Sequence, residues 1–159
     1  MIATRAETCL NSPDATARLA ATLGGRLHPG DCLLLAGPIG AGKTHFARAL
    51  VQSLLPAPED VPSPTYTLVQ SYDSPRAEIW HADLYRLSDP AEIVELGLAD
   101  AFETAICLVE WPDRLGAEAP DHALWLTLDP LPEAAEARRL RLGWSDPKWH
   151  DRLKGVIGE

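Results

Sequence analysis

The run Gly37-Pro38-Ile39-Gly40-Ala41-Gly42-Lys43-Thr44 constrains the fold of this chain most, because it matches the pattern G-x-x-x-x-G-K-T in full. It follows the short apolar run Cys32–Ala36 and precedes a segment with apolar residues at helical spacing. Glycine permits close approach and left-handed backbone angles, so that consecutive N–H groups can surround an anion. A buried strand, such a loop and a helix, in this order, predict an α/β fold with a phosphate-binding loop, or P-loop.

The chemistry expected at this loop is that of a nucleoside triphosphate bound with Mg²⁺. The start of the following helix adds its positive dipole end to the backbone N–H groups. Lys43 is expected to meet the β- and γ-phosphates, and the Thr44 hydroxyl to ligate Mg²⁺. The loop residues predicted to bind the nucleotide are Gly37, Gly40, Ala41, Gly42, Lys43 and Thr44.

Two acids complete the predicted catalytic set with Lys43. Glu110 follows the apolar run 106–109, and Asp83 follows the run 79–82. An acid at the end of a buried strand can simply be solvated at the sheet edge. For either residue alone, this interpretation and a functional one are equally supported. Two such acids beside a P-loop favour a metal site, because Mg²⁺ prefers oxygen ligands. We therefore assign Glu110 to Mg²⁺, directly or through water, and Asp83 to the attacking water.

The remaining pattern predicts a P-loop nucleoside triphosphatase fold in a single domain over residues 1–159. A helix should begin at Ser12-Pro13, and another should run from Lys43 to just before Pro56. The alternating segments 67–72 and 77–83 predict an antiparallel hairpin. A helix is expected from residue 88, late strands at 123–128 and 138–144, and a terminal helix after 147. The result is a central, mostly parallel sheet with flanking helices.

The charge balance limits the classes of function. The chain has 14 basic and 23 acidic side chains, for a formal charge of −9. Proteins that grip nucleic acid directly usually present a basic face, so tight binding of RNA or DNA by this chain alone is not expected. No run reaches the length of about 20 apolar residues that a membrane-spanning helix needs. We therefore expect a cytoplasmic protein.

Two further features are weighed against plainer interpretations. His81 can be catalytic or contact a partner, but its position favours a strand histidine with a local hydrogen bond. The charge cluster 133–141 indicates a solvated turn and strand edge, although this loop could also lie near the nucleotide base.

Five motifs in order carry a resemblance to a known family. They are Gly37 to Thr44, Ser63-Pro64-Thr65-Tyr66, His81-Ala82-Asp83-Leu84-Tyr85-Arg86, the acidic segment Asp89-Pro90-Ala91-Glu92 leading into Glu95-Leu96-Gly97, and Val109-Glu110-Trp111-Pro112. In this set the chain resembles the TsaE family, formerly YjeE, of small bacterial P-loop ATPases.

The resemblance implies a function in tRNA modification. Proteins of this family bind ATP or ADP with Mg²⁺ and hydrolyse ATP slowly alone. They act on a complex of TsaB and TsaD, which forms N6-threonylcarbamoyladenosine beside the anticodon, so tRNA is met only indirectly. By the same resemblance, Thr44 and Glu110 ligate Mg²⁺, Asp83 supports hydrolysis and Trp111 lies at the nucleotide. Thr65 lies in a switch-like loop that can sense the γ-phosphate.

The chain departs from the family pattern at three places in or near the loop. Pro38-Ile39 stands where relatives usually carry Asp-Leu, and His45 replaces a second Thr or Ser that often contacts the α-phosphate. The backbone N–H of His45 can still serve there. Pro62 replaces a more common polar or basic residue and lacks an N–H.

Two other functions remain open. One is a small-molecule or nucleotide kinase, although no lid insertion is evident, and the other is a nucleotide-dependent binding module. The sequence makes no prediction of an oligomeric state. It lacks the guanine-reading pattern Asn-Lys-x-Asp, which favours ATP over GTP.

Overall fold

The computed structural model describes residues 3–64, 68–89 and 91–157. Within these residues the chain forms seven strands, five α-helices and one 3-10 helix. The strands are β1 Ala6–Leu10, β2 Cys32–Ala36, β3 Val69–Asp73, β4 Glu78–Asp83, β5 Ile106–Glu110, β6 Leu124–Leu131 and β7 Ala134–Gly143. The helices are α1 Pro13–Gly24, α2 Lys43–Leu54, α3 Ala91–Leu96, α4 Leu98–Thr104 and α5 Lys148–Arg152, with the 3-10 helix at Pro112–Glu118.

All seven strands belong to one sheet, in the order β1-β7-β6-β2-β5-β4-β3. Strands β6, β2, β5 and β4 pair in parallel, and β1 runs in the same direction because two antiparallel pairings, β1 with β7 and β7 with β6, separate it from β6. Strands β3 and β4 form the predicted antiparallel hairpin, with Val69 opposite Ala82 and Asp73 opposite Glu78. The mostly parallel sheet is thereby confirmed. Thr67, the expected start of the hairpin, and Pro90, the last residue of the expected helix start Ser88-Asp89-Pro90, lie outside the described residues.

Strands β2 and β5, in the middle part of the sheet, are buried on both faces. Because side chains alternate along a strand, Leu33 and Leu35 pack into one apolar core with helices α1 and α2. Cys32 and Leu34 pack into a second core with α4 on the opposite face. Each fully buried leucine contributes about 1.5–3 kcal/mol relative to an exposed one. An apolar run without alternation is therefore the correct signal for a strand between two helical layers.

Local signals set the boundaries of the first helix. Its cap is Ser12, whose side-chain oxygen accepts the N–H of Ala15 at 3.1 Å, and Pro13 occupies the first turn. These contacts confirm the predicted start.

Strand β1 was not predicted, and the two late strands are longer than expected. In β1 only Leu10 is buried, so its sequence carries little apolar alternation. It is formed by pairing with β7, in which Ala6 lies opposite Leu142. Strand β7 takes up most of the charge cluster 133–141, which is therefore largely extended sheet.

The sheet brings the predicted site residues to one edge. Leu35 of β2 lies opposite Glu110 of β5, and Glu110 lies opposite Asp83 of β4. Since these three strands are parallel, their carboxyl ends meet beside the start of α2, where α/β folds bind ligands. In the described part of the chain, no helix is both long and apolar enough to cross a membrane.

Candidate functional site

The glycine loop joins β2 to α2 in a conformation that requires glycine. Gly37 has φ 137° and Gly42 has φ 100°, both in the left-handed half of conformational space. A Cβ added to Gly37 would lie 2.2 Å from the carbonyl oxygen of Leu128 on β6. The loop is thus packed directly against the sheet, and α2 begins immediately after it at Lys43.

Lys43 is held inside the loop that it follows. Its ammonium donates hydrogen bonds to the carbonyl oxygens of Gly37 and Pro38 and lies 4.0 Å from the centroid of the Trp111 ring. Burial lowers the pKa of Lys43, and the nearby carboxylates of Glu110 and Asp83 oppose that shift. An anionic ligand beside this ammonium would favour its charged form further.

A chain of hydrogen bonds links α2 to two strands of the sheet. The Thr44 hydroxyl donates to Glu110 Oε1 at 2.8 Å, and Glu110 Oε2 lies 2.7 Å from His81 Nε2. His81 is 0% and Glu110 2% exposed, so this carboxylate is held from both sides in a nearly dry setting. Among the described residues, the other ring nitrogen of His81 has no hydrogen-bond partner. Because an ionised carboxylate only accepts hydrogen bonds, His81 donates from Nε2 to Glu110 on the adjacent strand β5.

Asp83 lies next to Glu110 and is also nearly buried, with 5% of its surface exposed. Its Oδ1 accepts the N–H of Tyr85 at 3.0 Å, and its own N–H donates to the carbonyl oxygen of Leu68 at 2.9 Å. Leu68 has φ 68°, a left-handed conformation that is costly for a branched residue. Main-chain groups of Tyr85 and of Leu68 thus position Asp83.

These groups surround one cleft of about 390 Å³. It is lined by residues 39–45 and by Asp83, Tyr85, Glu110 and Trp111. Nine of the residues predicted from the sequence line it: Gly40, Ala41, Gly42, Lys43, Thr44, His45, Asp83, Glu110 and Trp111. Gly37 lies at the base of the loop instead, and Thr65 lies outside the described residues.

The donor set suits a hard cation that also binds a ligand's oxygens. Thr44 and Glu110 offer neighbouring oxygen atoms, with Asp83 beside them. Within the described ranges, no cluster of three or more His, Cys, Asp or Glu side chains is placed to hold a metal. Mg²⁺ usually takes one or two protein oxygens and completes its shell with phosphate and water, so the residues present fit that ion.

Trp111 and Tyr85 form an aromatic wall at the mouth of the cleft. Trp111 has φ 60° and ψ 54°, and its ring centroid lies 5.0 Å from that of Tyr85. A left-handed tryptophan stores backbone strain, which persists where the surroundings impose it and often marks a functional position. Here it turns the ring over Lys43, directly after Glu110.

The sequence matches a family model described as "Threonylcarbamoyl adenosine biosynthesis protein TsaE" over residues 10–140. This protein belongs to the TsaE family. The matched range contains the loop, both acids, His81 and Trp111, so the resemblance drawn from five motifs is confirmed.

Three bacterial proteins named "tRNA threonylcarbamoyladenosine biosynthesis protein TsaE" show how far the likeness extends. The Rickettsia bellii protein is 39% identical over 107 residues, which is 67% of this chain and 74% of that protein. The Treponema pallidum protein is 32% identical over 118 residues, which is 74% of this chain and 86% of that one. For the Bacillus subtilis protein the values are 33% over 118 residues, 74% and 73%.

A solved structure supports the fold. The crystal structure of Bacillus subtilis YdiB superposes with a TM-score of 0.79 and covers 98% of this chain and 95% of its own. At 22% identity the likeness concerns the fold alone.

The departure of this TsaE-family chain at His45 has a local explanation. The ring nitrogen Nε2 of His45 donates to the carbonyl oxygen of Pro13 at 2.9 Å, which ties α2 to the start of α1. The side chain of His45 is thus bonded to the start of α1, while the residue itself still lines the cleft.

Sequence reasoning missed one residue at the loop. Arg138 of β7 donates from Nε to the carbonyl oxygen of Ala41 at 2.9 Å and from Nη2 to that of Gly40 at 3.2 Å. It belongs to the charge cluster that was interpreted as a solvated turn and strand edge. No local signal identifies it, because 97 positions separate Arg138 from Ala41.

Proposed function

We propose that this protein is a Mg²⁺-dependent ATPase of low intrinsic turnover that supports the formation of N6-threonylcarbamoyladenosine in tRNA. It acts, on this proposal, as a single domain over residues 1–159, in the cytoplasm, on a TsaB–TsaD complex. The single observation that carries the proposal is the Thr44–Glu110 hydrogen bond of 2.8 Å at the end of a P-loop. It pairs the two oxygen donors that the metal of a nucleoside triphosphate requires.

The phosphate chain is received by the loop and the start of α2. Backbone N–H groups of residues 40–45 bind it once the N–H of Ala41 leaves the carbonyl oxygen of Pro38, to which it donates at 3.1 Å, and the N–H of His45 serves the α-phosphate. Lys43 exchanges its two carbonyl partners for the β- and γ-phosphates, and the neighbouring acids keep its ammonium charged. These contacts position the phosphate chain and stabilise its negative charge.

Thr44 and Glu110 would hold Mg²⁺, whose contribution when bound is to neutralise charge on the β- and γ-phosphate oxygens. His81 keeps Glu110 oriented through its other oxygen. Asp83 orients the attacking water from the neighbouring strand and accepts its proton. Trp111 covers the nucleotide, and Thr65 senses the γ-phosphate from its loop.

The charge of the chain supports a protein partner over direct contact with tRNA. A formal charge of −9 offers little of the phosphate neutralisation on which nucleic-acid affinity depends. A partner complex would therefore handle the tRNA, and this chain would couple ATP turnover to that complex.

ATP turnover measured with and without purified TsaB and TsaD tests this function. We expect slow turnover alone and stimulation by the complex. Absence of stimulation, together with phosphate transfer to a small metabolite, would identify a kinase instead. In cells depleted of the protein, mass spectrometry of tRNA should show loss of the threonylcarbamoyl group, and an unchanged level would refute the pathway.

The roles of the two acids are tested by a matched pair of isosteric variants. Glu110→Gln should shift the Mg²⁺ dependence of ATP binding more than Asp83→Asn does, because Glu110 contacts Thr44. Asp83→Asn should lower turnover while leaving Mg²⁺–ATP affinity nearly unchanged. The reverse ranking would mean that the two roles are exchanged.

A further inference from the structure

The guanidinium of Arg138 binds four backbone carbonyl oxygens, two of which belong to the glycine loop. Nε and Nη2 reach Ala41 and Gly40, as described above, while Nη1 donates to Ala135 at 3.0 Å and to Ala137 at 2.8 Å. We propose that Arg138 is a positioning residue that holds the outer half of the loop in its nucleotide-binding shape. The inference rests on the proposed function of the loop and adds a residue to it.

The contacts place Arg138 behind the loop, as a support. All three guanidinium nitrogens donate to carbonyl oxygens, and a Cβ added to Gly42 would lie 3.8 Å from Nε. The cleft lining includes Gly40 and Ala41 but not Arg138. The side chain therefore grips the outer surface of the loop whose inner surface faces the cleft.

The geometry of the peptide unit connects this grip to anion binding. The described peptide bonds are all trans, so each carbonyl points opposite to the N–H of the next residue. When Arg138 draws the carbonyl of Ala41 outward, the N–H of Gly42 is turned away from Arg138. Gly42 lines the cleft, so that N–H is directed towards the side where an anion would bind.

The charge of Arg138 adds to the same effect. Its neighbours on β7 are paired: Arg139 contacts Glu7 at 3.3 Å, and Arg141 contacts Asp129 at 2.6 Å. Among the described residues, no carboxylate forms a salt bridge with Arg138, although Glu136 lines the same small cavity, and the hydrogen bonds of its guanidinium go to carbonyl oxygens. This charge lies directly behind the two loop residues that it contacts.

Arg138 also differs from Lys43 in what it does when a nucleotide binds. Lys43 holds the inner carbonyls, those of Gly37 and Pro38, and must release them to reach phosphate. Arg138 holds the outer carbonyls and has no such second role. The shape of the occupied loop therefore depends on Arg138 more than the shape of the empty one does.

Arg138→Met tests this inference, with Arg139→Met as the matched control. Both changes remove one positive charge and the donors of an arginine on β7, but Arg139 is about half exposed and pairs with Glu7 of β1 in place of the loop. ADP affinity is measured by calorimetry in the full chain with a chelator present, so that the metal ligands do not contribute. We expect Arg138→Met to weaken ADP binding about tenfold or more, and Arg139→Met to leave it within about twofold.

Turnover distinguishes positioning of the loop from a general structural role. Arg138→Met should raise the KM for ATP while kcat at saturating ATP stays within about threefold, because the lost interaction serves binding throughout the reaction. Arg138→Lys keeps the charge but cannot bind both carbonyls, so its KM for ATP should lie between those of the wild type and Arg138→Met. If Arg138→Met melts below the assay temperature, Arg138→Lys and its KM decide the matter.

Three results would overturn the inference. They are wild-type ADP affinity in both Arg138 variants, an equal loss in Arg138→Met and Arg139→Met, and a fall in kcat with KM unchanged. Failure of the proposed nucleotide binding by the loop is separate and visible: wild type and Arg139→Met would then bind no ADP at all. If those two proteins bind ADP and both Arg138 variants bind it equally well, only the role of Arg138 fails.

Discussion

Replacing His81 with leucine should weaken the binding of Mg²⁺–ATP without affecting the metal-free phosphate site. His81 is fully buried on β4, and its Nε2 donates to Glu110 Oε2 at 2.7 Å. Leucine has a similar volume and no donor, so the change removes this bond with little disturbance of packing. Among the described residues, Thr44 would then be the remaining hydrogen-bond partner of the Glu110 carboxylate, and Thr44 must itself turn to the metal.

The expected magnitude follows from the bond that is lost. A hydrogen bond to a charged group is worth about 1.5–3 kcal/mol, and about 1.36 kcal/mol corresponds to a factor of ten. The bond already exists before the metal arrives, so only its part in orienting the carboxylate enters the affinity. We therefore expect an effect near the lower end, about tenfold, which is also the lower end for outer-shell partners of metal ligands.

Calorimetric titration of ATP with Mg²⁺ and of ADP with a chelator separates the two effects. His81→Leu should lose about tenfold in the first titration and less than about twofold in the second. His81→Gln, which restores an N–H donor of similar reach, should recover most of the loss. The matched control is His122→Leu, because His122 makes its bond of 2.9 Å to Gly30 at the opposite end of β2.

Equal losses in the two titrations would show that His81 supports the fold and has no particular role at the metal. The same conclusion would follow if His122→Leu shifted the Mg²⁺ dependence as much as His81→Leu. Thermal unfolding of all four proteins, recorded in parallel, identifies any variant whose binding loss comes from a general loss of stability.

Two further predictions concern stability. Asp31, 1% exposed, is bound by Lys148 at 2.8 Å and Arg152 at 2.9 Å, so Asp31→Asn should cost about 2–4 kcal/mol of unfolding free energy at pH 7 in urea titrations. Burial would raise the pKa of Asp31, but hydrogen bonds from Arg152 and Lys148 outweigh it and lower that pKa, so the advantage of the wild type should persist above about pH 4 and disappear as pH falls through the lowered pKa; an equal difference at pH 3 would contradict this. Gly37→Ala should lose about 2 kcal/mol or more, because its φ is 137° and its Cβ would meet a main-chain oxygen of β6 at 2.2 Å. Gly40→Ala, with φ 81° and nothing within 4 Å, should lose only about 1–2 kcal/mol, and equal losses would refute the steric explanation.

The parts of the fold that follow from local chemistry were predictable from the sequence. The loop is specified by glycines whose backbone angles other residues avoid, and the run Cys32–Ala36 is apolar throughout because helices cover both faces of β2. Two acids at the ends of apolar runs beside the P-loop indicated a metal site, and the structure brings them to one edge because parallel strands end together.

The roles of those acids depend on strand order, which no local pattern specifies. Glu110 contacts Thr44 because β5 lies directly beside β2, whereas Asp83 stands one strand farther away on β4. The same order brings His81 against Glu110, so a histidine that was expected to make a local bond makes one between strands.

Contacts between distant parts of the chain account for what was missed. Strand β1 has one buried residue and is formed by pairing with β7, where Ala6 meets Leu142. Arg138 reaches the loop only because β7 lies next to β6, whose Leu128 packs against Gly37. In both cases the partner residue lies about a hundred or more positions away, beyond the range of periodicity or turn signals.

The same topology divides the proposed site into two supports that can fail separately. The metal side depends on β4 and β5, through the buried contact between His81 and Glu110. The phosphate side depends on the loop, where Lys43 holds the inner carbonyls and Arg138 the outer ones. Nucleotide binding would withdraw Lys43 from the loop while leaving Arg138 in place. The ammonium of Lys43 would then leave the loop carbonyls for the phosphates without loss of the loop's shape. The guanidinium of Arg138, which comes from β7, would still hold the outer carbonyls.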